Sequence, residues 1–119
     1  MTETVRMTLD EYQSLAGQTA AYDENGPDPL LYLAGKLAAE GGEANQVILK
    51  KVFHGFPADD GEADRMLKKE LGDVLWYLSE TARCKGWKLS EVASANLVKI
   101  AERKSMGILA GSGDDRELG

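Results

Sequence analysis

One cysteine, one histidine and three prolines are scattered through 119 residues, and each scarcity narrows the field. Cys84 alone cannot form an intramolecular disulfide, so a reducing compartment such as the cytoplasm is the simpler reading. As a nucleophile it is unpersuasive: Lys85 lies beside it, but the only histidine, His54, is distant in sequence with no motif around it. No stretch approaches the ~18 continuous apolar residues of a membrane span. Residues 1–7 contain no apolar run of signal-peptide length. Basic excess is also missing: 14 Lys and Arg stand against 20 Asp and Glu, giving a net charge of −6. General nucleic-acid binding needs a basic footprint that this chain does not have. A polyanionic small molecule stays open as a ligand, since bound metal would reverse the local field.

What is present reads as helix, with no convincing strand alternation. Thr8 and Glu11 fit a capping box, and the first helix is predicted to run to about Tyr22. Residues 23–29 (Asp-Glu-Asn-Gly-Pro-Asp-Pro) form a turn by composition, and Pro29 suits the first turn of a second helix ending near Phe53. Acidic residues at 59–64 favour the start of a third helix, which Gly86 stops. Ser90 is the expected cap of a fourth helix reaching about Lys104. The fold class expected is all-α, a four-helix antiparallel bundle. Residues 1–104 form the domain, and 105–119 form a Gly-rich tail.

The most informative residues are four carboxylates in two spaced pairs. Glu40 and Glu43 form E-x-x-E on helix two, and Glu70 and Asp73 form E-x-x-D on helix three. Residues three apart on a helix are surface neighbours, so each pair points to one side. Glu40 falls within the apolar stripe of Leu33, Leu37, Ala44, Val47 and Ile48. On helix three the stripe is Leu67, Leu71, Val74, Leu75 and Leu78, with Glu70 and Asp73 along its edge. A carboxylate aimed at a core costs several kcal/mol unless compensated. Isolated, either pair would be read as solvated surface. On two helices that pack together they gather four negative charges, which hard cations such as Mg²⁺ or Mn²⁺ would neutralise. Gly41, Gly42 and Gly72, each unfavourable in a helix interior, suggest close helix approach or room for a ligand.

These residues resemble the MazG-like all-α nucleoside triphosphate pyrophosphohydrolases, whose signature is E-E-x-x-E followed by E-x-x-D. Here the signature runs from Ala39 through Glu40 to Glu43, then from Glu70 to Asp73. Residues 70–78 (Glu-Leu-Gly-Asp-Val-Leu-Trp-Tyr-Leu) are similar to the family's third helix. Asn96, Lys99 and Arg103 match its N-x-x-K-x-x-x-R pattern, and residues 10–13 with Thr19 are similar to its first helix. The resemblance covers about residues 8–104. Its one departure is Ala39 where the family has its first Glu.

The resemblance implies hydrolysis of a (d)NTP to (d)NMP and pyrophosphate with Mg²⁺ (or Mn²⁺), in nucleotide-pool control or house-cleaning. Glu40, Glu43, Glu70 and Asp73 would be the metal-holding and catalytic residues, with Glu40 orienting or deprotonating the water. Lys99 and Arg103 would hold phosphate oxygens, Tyr77 and Asn96 would meet the base and sugar, and Gln13 would reach the pocket. Trp76 is expected to point away from the metal side. Spare apolar residues (Val52, Phe53, Trp76, Trp87) and the family's habit imply a homodimer or homotetramer. Glycines before Arg116 at 111–116 are a second candidate phosphate contact, with a free tail the preferred reading. Two alternatives stand beside this one. One is a related hydrolase acting on dCTP, dUTP or phosphoribosyl-ATP. The other is a catalytically silent helical protein that binds nucleotides or a partner.

Overall fold

The computed structural model describes residues 4–107 as four α-helices: α1 (Leu9–Gly17), α2 (Pro29–His54), α3 (Asp60–Cys84) and α4 (Leu89–Ser105). The chain is all-α, with no strand among the described residues. The segment 111–116, with Arg116, lies outside them. No helix among the described residues is long and apolar enough to cross a membrane.

Local chemistry sets the helix ends. At α1 the Thr8 hydroxyl accepts from the Glu11 amide (3.0 Å) while the Glu11 carboxylate accepts from the Thr8 amide (2.8 Å), the reciprocal box the sequence predicts. Asp28 and Asp59 cap α2 and α3, accepting from the amides of Leu31 and Glu62. After α2, Gly55 turns left-handed at φ +63°, and the amides of Gly55 and Phe56 return to the carbonyls of Lys51 and Lys50. That closure folds Phe56 back over the last turn of α2.

Two helix boundaries differ from expectation, and both for tertiary reasons. α1 stops at Gly17 rather than near Tyr22. Thr19 turns its hydroxyl onto the Ala16 carbonyl and accepts from the Trp76 indole (2.9 Å). Tyr22 donates to Glu80 (2.8 Å), so residues 18–28 are held against α3 instead of continuing the helix. α4 begins at Leu89, with Lys88 rather than Ser90 at the cap position. Its first orphan amides are satisfied from α1: Leu89 N–H donates to Gln13 Oε1 (3.0 Å) and Ser90 N–H to Asp10 Oδ1 (2.9 Å). The Ser90 hydroxyl completes the link with a 2.6 Å bond to Asp10 Oδ2.

These Ser90 bonds hold the Asp10 carboxyl below the usual range. Its folded-state pKa is depressed, so its stabilisation is present above the ordinary aspartate value and lost as pH falls through the depressed one. Urea unfolding of wild type and Asp10→Asn should therefore differ at neutral pH and converge below about pH 4.

α2 packs against α3 alone, while α1 and α4 rest on α3 and on each other. The core is correspondingly thin. Of the buried apolar residues (Ala16, Leu33, Ala44, Val47, Ala63, Ala82 and Leu89) four are alanines. The apolar stripes are only partly covered. Ile48 is 48% and Leu71 53% exposed. Val52, Phe53 and Trp87 are also exposed. A side-chain Cβ built at Gly41, Gly42 or Gly72 would meet nothing within 4 Å, so no close helix approach among the described residues explains them.

Candidate active site

Antiparallel packing of α2 on α3 carries Glu40 and Glu43 to the side of Glu70. One carboxylate oxygen from each lies within 4.8 Å of the others, with Glu40 buried, Glu70 half-buried and Glu43 exposed. Glu40 is 8% exposed, as its place in the apolar stripe requires. Asp73 stands at the margin of this cluster, exposed, yet near enough to bias both Glu40 and Glu70 electrostatically. Burial first, then Glu43 and Asp73, push the Glu40 carboxyl above its ordinary range, with Lys36 opposing from 3.9 Å. Glu70 is raised by the same causes, with Lys69 opposing.

A polar surface would satisfy such groups, and here two are not satisfied. Glu40 Oε2 and Glu70 Oε2 are both buried without a hydrogen-bond partner. Buried acceptors left unmade are costly. An all-oxygen donor set with mutually repelling charges fits a hard divalent cation of the Mg²⁺ or Mn²⁺ kind. Ala39, the departure from the signature, is exposed on α2, so the carboxylate missing there is not taken from this cluster.

Aromatic side chains flank the carboxylates on one side. A cavity of about 260 Å³ is lined by Thr19, Ala21, Tyr22, Tyr32, Trp76 and Tyr77. Trp76 meets Tyr77 edge-on at 4.9 Å and Tyr22 edge-on at 6.3 Å, and Tyr22 lies 5.9 Å from Tyr32. Trp76 shares the Tyr77 cavity, which none of the four carboxylates lines. Lys36 bridges the two regions, with its ammonium 5.7 Å from the Tyr77 ring centre and within salt-bridge range of Glu40. On the other side a cavity of about 310 Å³ is lined by Glu43, Gln46, Val47, Lys50, Phe56, Met66 and Glu70.

The remaining sequence candidates lie elsewhere. Asn96 and Lys99 line a separate groove of about 500 Å³ with Trp87, Glu91, Val92 and Ala95. Arg103 is buried, at 5% exposure. α4 makes no contact with α2. Gln13 is committed to the α3–α4 junction: its amide nitrogen donates to the carbonyls of Trp87 (2.9 Å) and Ser79 (3.4 Å), and its oxygen caps Leu89. Sequence reasoning passed over Tyr32, Lys36, Gln46 and Lys50. Their signal was available, since 32, 36, 40, 43, 46/47 and 50 follow the i, i+3, i+4 spacing of one helix face.

The Gene 37 protein of Mycobacterium phage L5 is 38% identical over 118 residues, covering 92% of this chain and all of that protein. No solved structure matches the chain. The profile of the MazG nucleotide pyrophosphohydrolase domain matches residues 30–107, a span holding both carboxylate pairs, all of α2 but its first residue, and the whole of α3 and α4. The chain belongs to the MazG nucleotide pyrophosphohydrolase family.

Proposed function

We propose that this protein is a Mg²⁺-dependent pyrophosphohydrolase that converts a (d)NTP and water to a (d)NMP and pyrophosphate. The observation that carries the reading is the pair of buried, unpartnered oxygens on Glu40 and Glu70 within a cluster completed by Glu43. Glu40, Glu43 and Glu70, with Asp73 at their margin, would hold the metal. When bound, the metal neutralises phosphate charge and favours an in-line displacement at phosphorus.

The chain's own groups divide the remaining work. Glu40, whose Oε2 has no hydrogen-bond partner, is suited to orient the attacking water and accept its proton. The water oxygen bonds to the α-phosphorus as the bond to the bridging oxygen breaks, and pyrophosphate departs. Tyr77, backed edge-on by Trp76, offers a face for the base. Asn96, Lys99 and Arg103 remain substrate candidates on the family pattern rather than on proximity to the carboxylates, whereas Gln13, buried and bonded to Ser79, Trp87 and Leu89, serves the helix junction. The role would be nucleotide-pool control or house-cleaning in the cytoplasm.

The thin core supports a homo-oligomer, at least a homodimer. Leu31, Gly35, Ala38, Gly42, Asn45 and Val52 recur at spacings of three, four and seven along α2, and all are exposed. A seam of this period with small residues suits a second helix lying close against it. Among the described helices α2 has α3 alone as a neighbour, and the seam residues are exposed.

The test is product analysis across canonical and modified (d)NTPs, with phosphoribosyl-ATP included, in Mg²⁺, Mn²⁺ or EDTA. Metal-dependent release of pyrophosphate together with the nucleoside monophosphate is expected from at least one of them, abolished by EDTA. Folded protein that binds metal but releases nothing from any would favour the silent binding protein.

A further inference from the structure

The face of α2 that carries the carboxylates has a direction. From its N-terminal half come Tyr32 and Lys36, then Glu40 and Glu43, then Gln46 and Lys50. α3 runs antiparallel and contributes Tyr77 and Trp76 at the first end, Asp73 and Glu70 in the middle, and Met66 at the other. At ~1.5 Å rise per residue, Tyr32 to Lys50 spans about 27 Å, ample for a nucleoside triphosphate lying along the groove. The ends differ in chemistry. One is aromatic, with the π faces of Tyr32, Trp76 and Tyr77. The other holds an amide, an ammonium and a carboxylate rim, and its cavity is continuous with Glu43 and Glu70.

Lys50 is the cation that this second cavity provides. Side chains on a helix lean toward its N-terminus, so Lys50 leans toward Glu43. Among the described residues no ion pair engages it. Its neighbour Lys51 is fully occupied, donating to the carbonyls of Pro57 (2.9 Å) and Ala58 (3.1 Å) and pairing with Asp60 at 2.8 Å. Gln46 adds amide donors one turn away. The turn after α2 walls the same cavity with Phe56.

We propose that Lys50 and Gln46 form the subsite for the β- and γ-phosphates, so that the substrate lies along α2 with its base toward Tyr77 and its terminal phosphates toward the α2–α3 turn. This rests on the pyrophosphohydrolase reading above, and it adds a polarity and a phosphate-binding cation that the family motifs do not supply. The scissile bond then falls at the carboxylates between the two cavities, and pyrophosphate leaves through the Lys50 end.

Calorimetric binding of inorganic pyrophosphate and of a nucleoside monophosphate, each with Mg²⁺, tests the subsite without turnover. Lys50→Gln should weaken pyrophosphate binding roughly tenfold, as loss of one charge-assisted phosphate contact does, and leave monophosphate binding unchanged. Lys50→Arg should restore it, and Lys51→Gln should not affect it. Unchanged pyrophosphate affinity in Lys50→Gln, an equal loss for both ligands, or no pyrophosphate binding by the wild type would each overturn the proposal. The wild-type substrate panel separates the two ideas. Turnover with Lys50 indifferent removes only the subsite, while Lys50-dependent pyrophosphate binding without turnover removes only the hydrolase reading.

Discussion

Glu43→Gln is expected to abolish turnover, by at least on the order of a hundredfold, while raising the unfolding temperature of the metal-free protein by a few degrees. Glu43 bears on both Glu40 and Glu70 more strongly than Asp73 does. Removing its charge loses a ligand and relieves repulsion in one step. The pH dependence follows with a definite sign. Glu40 and Glu70 are raised in the fold, so the folded state binds more protons than the unfolded state from the ordinary glutamate range up to their raised values. Metal-free stability therefore falls as pH rises through that window. The slope should be shallower in Glu43→Gln, and saturating Mg²⁺ should reverse it in the wild type alone. A variant that keeps wild-type turnover would remove Glu43 from the chemistry.

Arg83→Ala should be among the most destabilising single changes in the molecule. Glu80 is fully buried, and its charge is balanced by two Arg83 bonds, from Nε (2.9 Å) and Nη2 (2.7 Å), and one from the Tyr22 hydroxyl. Burial alone would raise the Glu80 carboxyl, but these bonds hold it below the ordinary range. Burial and Glu80 also push the Tyr22 phenol up to about 12, so it remains a neutral donor at any physiological pH. Removing the guanidinium strands a buried charge at a cost of about 3–5 kcal/mol, a large part of the ~5–15 kcal/mol that holds a small domain together.

The wild-type contribution is present above the ordinary glutamate pKa and lost as pH falls through the depressed one. Urea unfolding should accordingly show a wide gap between wild type and Arg83→Ala at pH 7 that narrows below about pH 4.5. Arg83→Lys keeps the charge and loses the fork, so it should fall between them. A gap of under about 1 kcal/mol at pH 7 would mean that the pair behaves as a surface ion pair.

The same cluster shows where sequence legibility ended. α2 and α3 could be bounded from the chain because local punctuation makes their ends: Pro29, Gly55 and Gly86 act within a turn of where they stand. The cluster of Glu40, Glu43 and Glu70 was legible for a similar reason. Helical spacing fixes which residues share a side, and Glu40 interrupts an apolar stripe. Glu80 gave no such signal, because its partner Tyr22 lies on the α1–α2 connector, 58 residues away in sequence. The early end of α1 and the start of α4 were hidden alike, set by Thr19 on Trp76 and by Asp10 and Gln13 on the α4 amides. Ile48 and Leu71 were read as core from periodicity, which reports an apolar face without showing whether a neighbour covers it. Lys50 was passed over because a lysine on a helix is ordinary until a cavity beside the carboxylates singles it out.

We propose that Glu40, Glu43 and Glu70 form the metal-holding centre of a nucleotide pyrophosphohydrolase. Calorimetric titration of Mn²⁺ into the metal-free protein tests it most directly, because it depends on no choice of substrate. Saturable binding by the wild type, lost in Glu43→Gln with the fold intact, is the result expected. Binding of equal affinity in both proteins, or none in the wild type, would contradict the claim.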